Sequence, residues 1–163
     1  MSLFYIIDGY NIIKQVPFFL GKPLKDGRDG LIRFLETNRR ILCGNPHNSI
    51  TVVFDGKADT ISPKYESSIE VIFSKGESAD DKIKKMVEYS KNPKVIVVVT
   101  DDKEIRFFVR ALGAKVLSIK VFMSKFLMKN KNDILTSKEK FDIHSEQAQT
   151  ITSELKNIWL KKE

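Results

Sequence analysis

VIVVVTDD, residues 95–102, is the stretch on which the fold turns. Its first five residues are all β-branched, a composition that favours extended chain. A strand with no polar face belongs in the middle of a parallel sheet, covered by helices on both sides. The run is far too short to span a bilayer. It ends in Thr100-Asp101-Asp102, so two carboxylates fall at the strand's carboxyl end, where open α/β sheets place their ligand crevice.

Two earlier apolar runs end the same way. Residues 3–7 (LFYII) lead into Asp8-Gly9, and residues 50–54 (ITVVF) lead into Asp55. A fourth acidic point, Asp80-Asp81, opens a helical pattern whose inward face is Ile83, Met86 and Val87, with Ser78 as its N-cap. Between these points, Leu31, Phe34, Leu35, Ile41 and Leu42 recur at helical spacing until Gly44-Asn45-Pro46 stops them. Residues 21–30 (GKPLKDGRDG) are dense in glycine and charge and predict a loop, and Asp8-Gly9 predicts a turn. Residues 56–66 read as a polar loop, and 67–73 (SSIEVIF) as a strand with one more exposed face.

Beyond the central run, Ile105, Phe108, Val109 and Leu112 form a helical stripe closed by Gly113, and 115–117 is a short strand. Residues 121–128 predict an amphipathic helix, 129–140 (KNKNDILTSKEK) a polar connector, and Ala148, Ile151, Leu155, Ile158 and Trp159 one face of a last helix. Strands and helices alternate throughout, the pattern of an α/β fold. The expected organisation is one domain over residues 1–129, with 130–163 a connector and helix packed on it or appended to it.

Carboxylates brought together raise one another's pKa and resist joint ionisation, so a cluster of acids calls for a compensating cation. Hard oxygen ligands without histidine or cysteine favour Mg²⁺ or Mn²⁺ over zinc, and such ions point to phosphoryl chemistry. Cys43 stands alone, which excludes an internal disulfide and a cysteine-built zinc site, and its place in a helical stripe suggests buried packing. No GxGxxG follows the first strand and no P-loop pattern occurs, which argues against NAD or ATP. His47 and His144 fall in polar stretches and read as surface residues, and Met86, Met123 and Met128 as packing. The start, MSLFYIIDGYN, has no basic leader and reads as a first strand, so a cytoplasmic setting is expected, with no membrane role. The 163 residues carry a net charge of +7. With several acids gathered in one crevice, the remaining surface is more basic than that figure, a field that attracts polyanions.

The segments DGYN (8–11), VVFDG (52–56), KGESADDKI (75–83), VVVTDDKEI (97–105) and RALGAKVLS (110–118) together resemble the YacP-type NYN domain nucleases, a branch of the PIN-like superfamily. The likeness covers roughly residues 3 to 128. It implies a three-layer αβα fold around a mainly parallel sheet, and a metal-dependent ribonuclease activity. Carried residue by residue, it implies Asp8 as a metal ligand with Asn11 beside it, Asp80 as a principal ligand and Asp81 as its partner. Asp102 takes a ligand place, and Asp101 stands where serine is common, which leaves open which of the two faces the metal. Asp55 is a further candidate on the same rim.

The catalytic set expected is Asp8, Asn11, Asp80 and Asp102, with Asp8, Asp55, Asp80, Asp81, Asp101 and Asp102 as metal-site candidates and Mg²⁺ or Mn²⁺ as cofactor. Thr100 would hold a carboxylate or a bound water. The function expected is endonucleolytic hydrolysis of single-stranded RNA, including mRNA at the ribosome. For phosphates, the candidates are Lys14, Lys22, Lys25, Arg28, Arg39 and Arg40; for base stacking, Tyr10 and Phe18 or Phe19. Each acid also has a plainer role: a turn at Asp8, helix caps at Asp80, Asp101 and Asp102. Two other functions compete. One is a non-catalytic RNA- or ribosome-binding module. The other is a phosphoacceptor receiver domain with Asp55 as its target, although that class expects paired acids after the first strand, where this chain has Asp8-Gly9.

Overall fold

The computed structural model describes residues 2–56 and 68–137, the stretch 129–137 as backbone alone. Five strands, β1 (Phe4–Asp8), β2 (Ser49–Phe54), β3 (Glu70–Phe73), β4 (Ile96–Val99) and β5 (Lys115–Leu117), form one sheet in the order β3-β2-β1-β4-β5. Every pairing is parallel, with Asp8 opposite Val53 and Ile7 opposite Val99. The chain therefore builds outward from β1 to one edge, then crosses to the other side of β1 for β4 and β5. The junction between β1 and β4 is the topological switch point, where the carboxyl ends of neighbouring strands open a crevice. This order also differs from the 2-1-3-4-5 order of receiver-type sheets.

Alternation along the strands feeds two cores. Tyr5, Ile7, Ile50, Val52, Phe54, Val97 and Val99 pack on one face with α1 (Gly9–Gln15), α2 (Leu24–Cys43) and α5 (Ile119–Ser137). Ile6, Val53, Ile96 and Val98 pack on the other with Ile83 and Val87 of α3 (Ala79–Glu88) and Ile105 and Val109 of α4 (Lys103–Ala111). The result is the expected three-layer α/β architecture. Cys43 is buried as expected, which pushes its thiol up to about 11 and leaves it an inert packing group.

Four local expectations are revised. No loop or turn follows Asp8: α1 starts at Gly9 because the Asp8 carboxylate caps it. The stretch read as a loop over 21–30 is helical from Leu24 onward. Gly27 and Gly30 face the core there: a Cβ on Gly27 would lie 3.4 Å from Ile13 Cγ2 and one on Gly30 would lie 3.7 Å from the Phe19 ring, both ordinary contacts. Helix α5 begins at Ile119 and runs to Ser137, past Met128 and into the stretch read as a connector. Met128 itself is exposed, whereas Met123 is buried and Met86 packs at the edge of the core. The helix pattern around Trp159, residues 57–66 of the polar loop read from sequence, Ser67 and His144 lie outside the described residues. Among the described residues, no helix is long and apolar enough to cross a membrane.

Candidate active site

Asp8 is the last residue of β1 and only 6% exposed. One oxygen, Oδ1, accepts the Asn11 backbone N–H at 3.2 Å, which caps α1. The other, Oδ2, accepts the Thr100 hydroxyl at 3.3 Å. Thr100 follows β4 directly and is itself buried, so this bond ties the ends of the two strands together across the switch point. The Thr100 oxygen in turn accepts the Asp102 backbone N–H at 3.1 Å. Asp102 caps α4 with Oδ1, which accepts from Glu104 N at 2.9 Å and Ile105 N at 3.0 Å.

Gly9 makes this corner possible. A Cβ there would lie 2.3 Å from Phe54 Cε1, so the fully buried Phe54 ring occupies the space any larger residue would need. Tyr10 packs against the same ring at 5.1 Å between centroids.

Asp80 reaches the crevice from the first turn of α3, whose N-cap is Ser78 as expected: its Oγ accepts Asp81 N at 3.0 Å. The Asp80 carboxylate is half-buried and makes no hydrogen bond among the described residues. Burial pushes the Asp8 carboxyl up to about 6; the Asp80 and Asp102 charges add to the rise, against the lowering hydrogen bonds from Asn11 and Thr100. Asp80 is raised by burial and then by Asp102, with Lys84 opposing. Asp8, Asp80 and Asp102 thus share one electrostatic field.

The other acids are placed differently. Asp101 turns away to accept Ile119 N at 3.1 Å, holding the first turn of α5. Asp55 Oδ1 accepts the Ser74 hydroxyl at 3.1 Å. Asp81 is exposed on α3. None of these three is among the charges that act on Asp8. Asn11 is half-buried beside Asp8, with its side-chain oxygen accepting from Gln15 Nε2.

One site residue escaped the sequence reading. Lys84, one helical turn beyond Asp80, forms an ion pair with Glu104 that joins α3 to α4 and counters the Asp80 charge. Its signal was the acid-to-lysine i, i+4 spacing. Some of the suggested RNA contacts have internal roles instead. Arg28 is buried with its guanidinium 5.5 Å from the Phe73 ring, and Arg39 Nε donates to the Asn48 carbonyl at 3.1 Å. Phe19 is core, and Phe18 is half-buried beneath Lys22. Lys14, Lys22, Lys25 and Arg40 are exposed.

As to a cation, no three His, Cys, Asp or Glu side chains among the described residues are grouped tightly enough to cage one. Mg²⁺ does not require a cage: it keeps several waters and is commonly held by one or two carboxylates together with substrate phosphates. The oxygen-only donors and the mutual repulsion that Lys84 offsets only in part fit that open mode.

A doubly wound parallel sheet with three coupled acids at its switch point is the frame of a PIN-like nuclease domain. The chain belongs to the YacP-like NYN domain family, whose model matches residues 5–162. The family is an RNA-acting one, which supports RNA as a partner. Two crystal structures of Rae1 (YacP) from Bacillus subtilis have a similar fold, each with a TM-score of 0.62. One, of a mutant, is 21% identical, covering 95% of this chain and 99% of that one. The other is 23% identical, covering 99% and 94%. No curated protein sequence matches the chain.

Proposed function

We propose that the chain is a divalent-cation-dependent endoribonuclease that hydrolyses phosphodiester bonds in single-stranded RNA. The observation that carries this reading is Asp8: a buried carboxyl at the switch point, raised by burial and by the Asp80 and Asp102 charges. Membership of an RNA-acting nuclease family supports it. Asp8, Asp80 and Asp102 would hold Mg²⁺ or Mn²⁺. When bound, such an ion activates water near neutral pH and offsets charge on the phosphoryl oxygens.

The chain's own residues do the positioning. Thr100 fixes the orientation of Asp8 and ties the ends of β1 and β4 together, while its bond from Asp102 N holds the turn that leads into α4. Asn11, whose backbone N–H is bonded to Asp8 and whose side-chain oxygen accepts from Gln15, would use its amide nitrogen to donate to a phosphate oxygen that a carboxylate would repel. Lys84 keeps part of the Asp80 charge balanced while the crevice is empty of substrate. Asp80 and Asp102 are only part-buried on the rim, which suits a strand entering without a free end.

Circular single-stranded RNA tests the reading, because only an internal cut can open it. The parent should linearise the circle with Mg²⁺ or Mn²⁺ and be silenced by EDTA. Asp8→Asn and Asp102→Asn should each slow cutting by about 10²-fold or more, the lower range for losing a positioned acid or base. A parent that binds the circle but never opens it under either ion would favour the binding-module alternative.

A further inference from the structure

The outer face of α4 leads directly away from Asp102. Lys103, Arg106, Phe107 and Arg110 recur at i, i+3, i+4 and i+7, one face of the helix, opposite the Ile105 and Val109 side that enters the core. With Ala111 they line a shallow depression. Phe107 is 79% exposed, an unusual position for a large aromatic ring, and cations stand on both sides of it along the helix. Lys103, Arg106 and Arg110 make no ion pair among the described residues, unlike Lys82, Lys84 and Lys85 on neighbouring α3. Glu104, the one acid on α4, is paired with Lys84.

The geometry points to a track for single-stranded RNA on this face: the strand runs from the acidic crevice along α4, with phosphates on Lys103, Arg106 and Arg110 and one base stacked on Phe107. This rests on the endoribonuclease reading and adds where the substrate lies. Lys103 to Arg110 spans about 10 Å at 1.5 Å per residue, roughly three phosphates at the ~3.4 Å spacing of a stacked strand. A cationic groove interleaved with an aromatic platform is how sequence-tolerant single-strand binding is built. Lys103 adjoins the α4 cap, so a strand on this face has its next phosphates at Asp102.

The test is fluorescence anisotropy of a labelled single-stranded RNA with the full chain in EDTA, over a salt series, with cutting assayed in parallel with Mn²⁺. All three positions changed lie on the outer face of α4, and circular dichroism melts confirm that the variants fold. Arg106→Gln with Arg110→Gln should weaken binding about tenfold and flatten the slope of log K against log[salt] by about 1.4, two single-strand phosphate contacts. Phe107→Ala should weaken binding roughly 5- to 100-fold, the loss of one stacked base, with the salt slope unchanged. If the parent binds and cuts RNA while the variants match it in affinity and slope, the track is wrong and the nuclease reading stands. If Phe107→Ala alters only the sedimentation of the protein, the face joins copies of the chain and the track is again wrong. A parent that neither binds nor cuts overturns both.

Discussion

A buried carboxyl beside two other acids titrates high, and Asp8 is pushed to about 6, first by burial and then by Asp80 and Asp102 against two lowering hydrogen bonds. Because this exceeds the value of about 3.9 in an unfolded chain, the native state keeps a proton that the unfolded chain has already lost. Without a divalent cation, the contribution of Asp8 to stability should therefore be full below pH ~4, fall as pH rises to about 6, and stay lower above it. Asp8→Asn removes that cost while still capping α1, so at pH 7.5 in EDTA it should be more stable by about 1–3 kcal/mol. A thermal melt at pH 7.5 below that of the parent would contradict this. Gly9 offers an opposite test. Helix propensity alone would make Gly9→Ala stabilising by about 1 kcal/mol, but the added Cβ meets a Phe54 ring packed against Tyr10 and Phe73. Overpacking should win and cost about 1–3 kcal/mol net, read as a lower urea midpoint; an unchanged midpoint would show that the ring can move aside.

Adjacent acids were the hardest feature to resolve from sequence, because neighbouring residues at a strand end point in different directions and no periodicity says which. The structure separates them by the helix each one caps: Asp102 holds α4 and Asp101 holds α5. The cap on the next helix therefore falls to Asp102 and not to Asp101, and for Asp8 and Asp102 capping coexists with a place in the acidic field. Asp101→Ala should lose about 0.5–2 kcal/mol of stability, the usual worth of a cap, and leave RNA cutting within a few-fold. Asp102→Asn should keep the cap and lose the cutting. Equal activity losses in the two variants would mean that both carboxylates serve the site. The start of α2 was misread for a related reason: glycine and charge resemble loop chemistry locally, and only the packing of the helix against Ile13 and Phe19 reveals it. The extension of α5 past Met128 was equally hidden, since a polar stretch carries no apolar stripe to mark it as helix.

Across the molecule, the sheet was legible because its strands declare themselves: β1, β2 and β4 are apolar runs ended by acids, and β4 lacks a polar face. Strand order was not legible, since apolar runs do not say which neighbour they pair with, and the switch point follows from order. The charges of Asp80 and Asp102 reach Asp8, while Asp55 and Asp101 are engaged by Ser74 and α5. The α4 face went unnoticed because a charged, exposed helix surface is the ordinary case until its cations prove unpaired. The account's central claim is that Asp8, Asp80 and Asp102 form one acidic centre that a divalent cation completes. The most direct measurement is a carboxyl-carbon NMR titration of Asp8, with and without Mg²⁺, in the parent and in Asp80→Asn. The account predicts a midpoint near 6 without the ion, a lower one when Asp80 is neutralised, and a much lower one with Mg²⁺ bound. A midpoint in the ordinary carboxylate range, indifferent to both Asp80 and Mg²⁺, would contradict it.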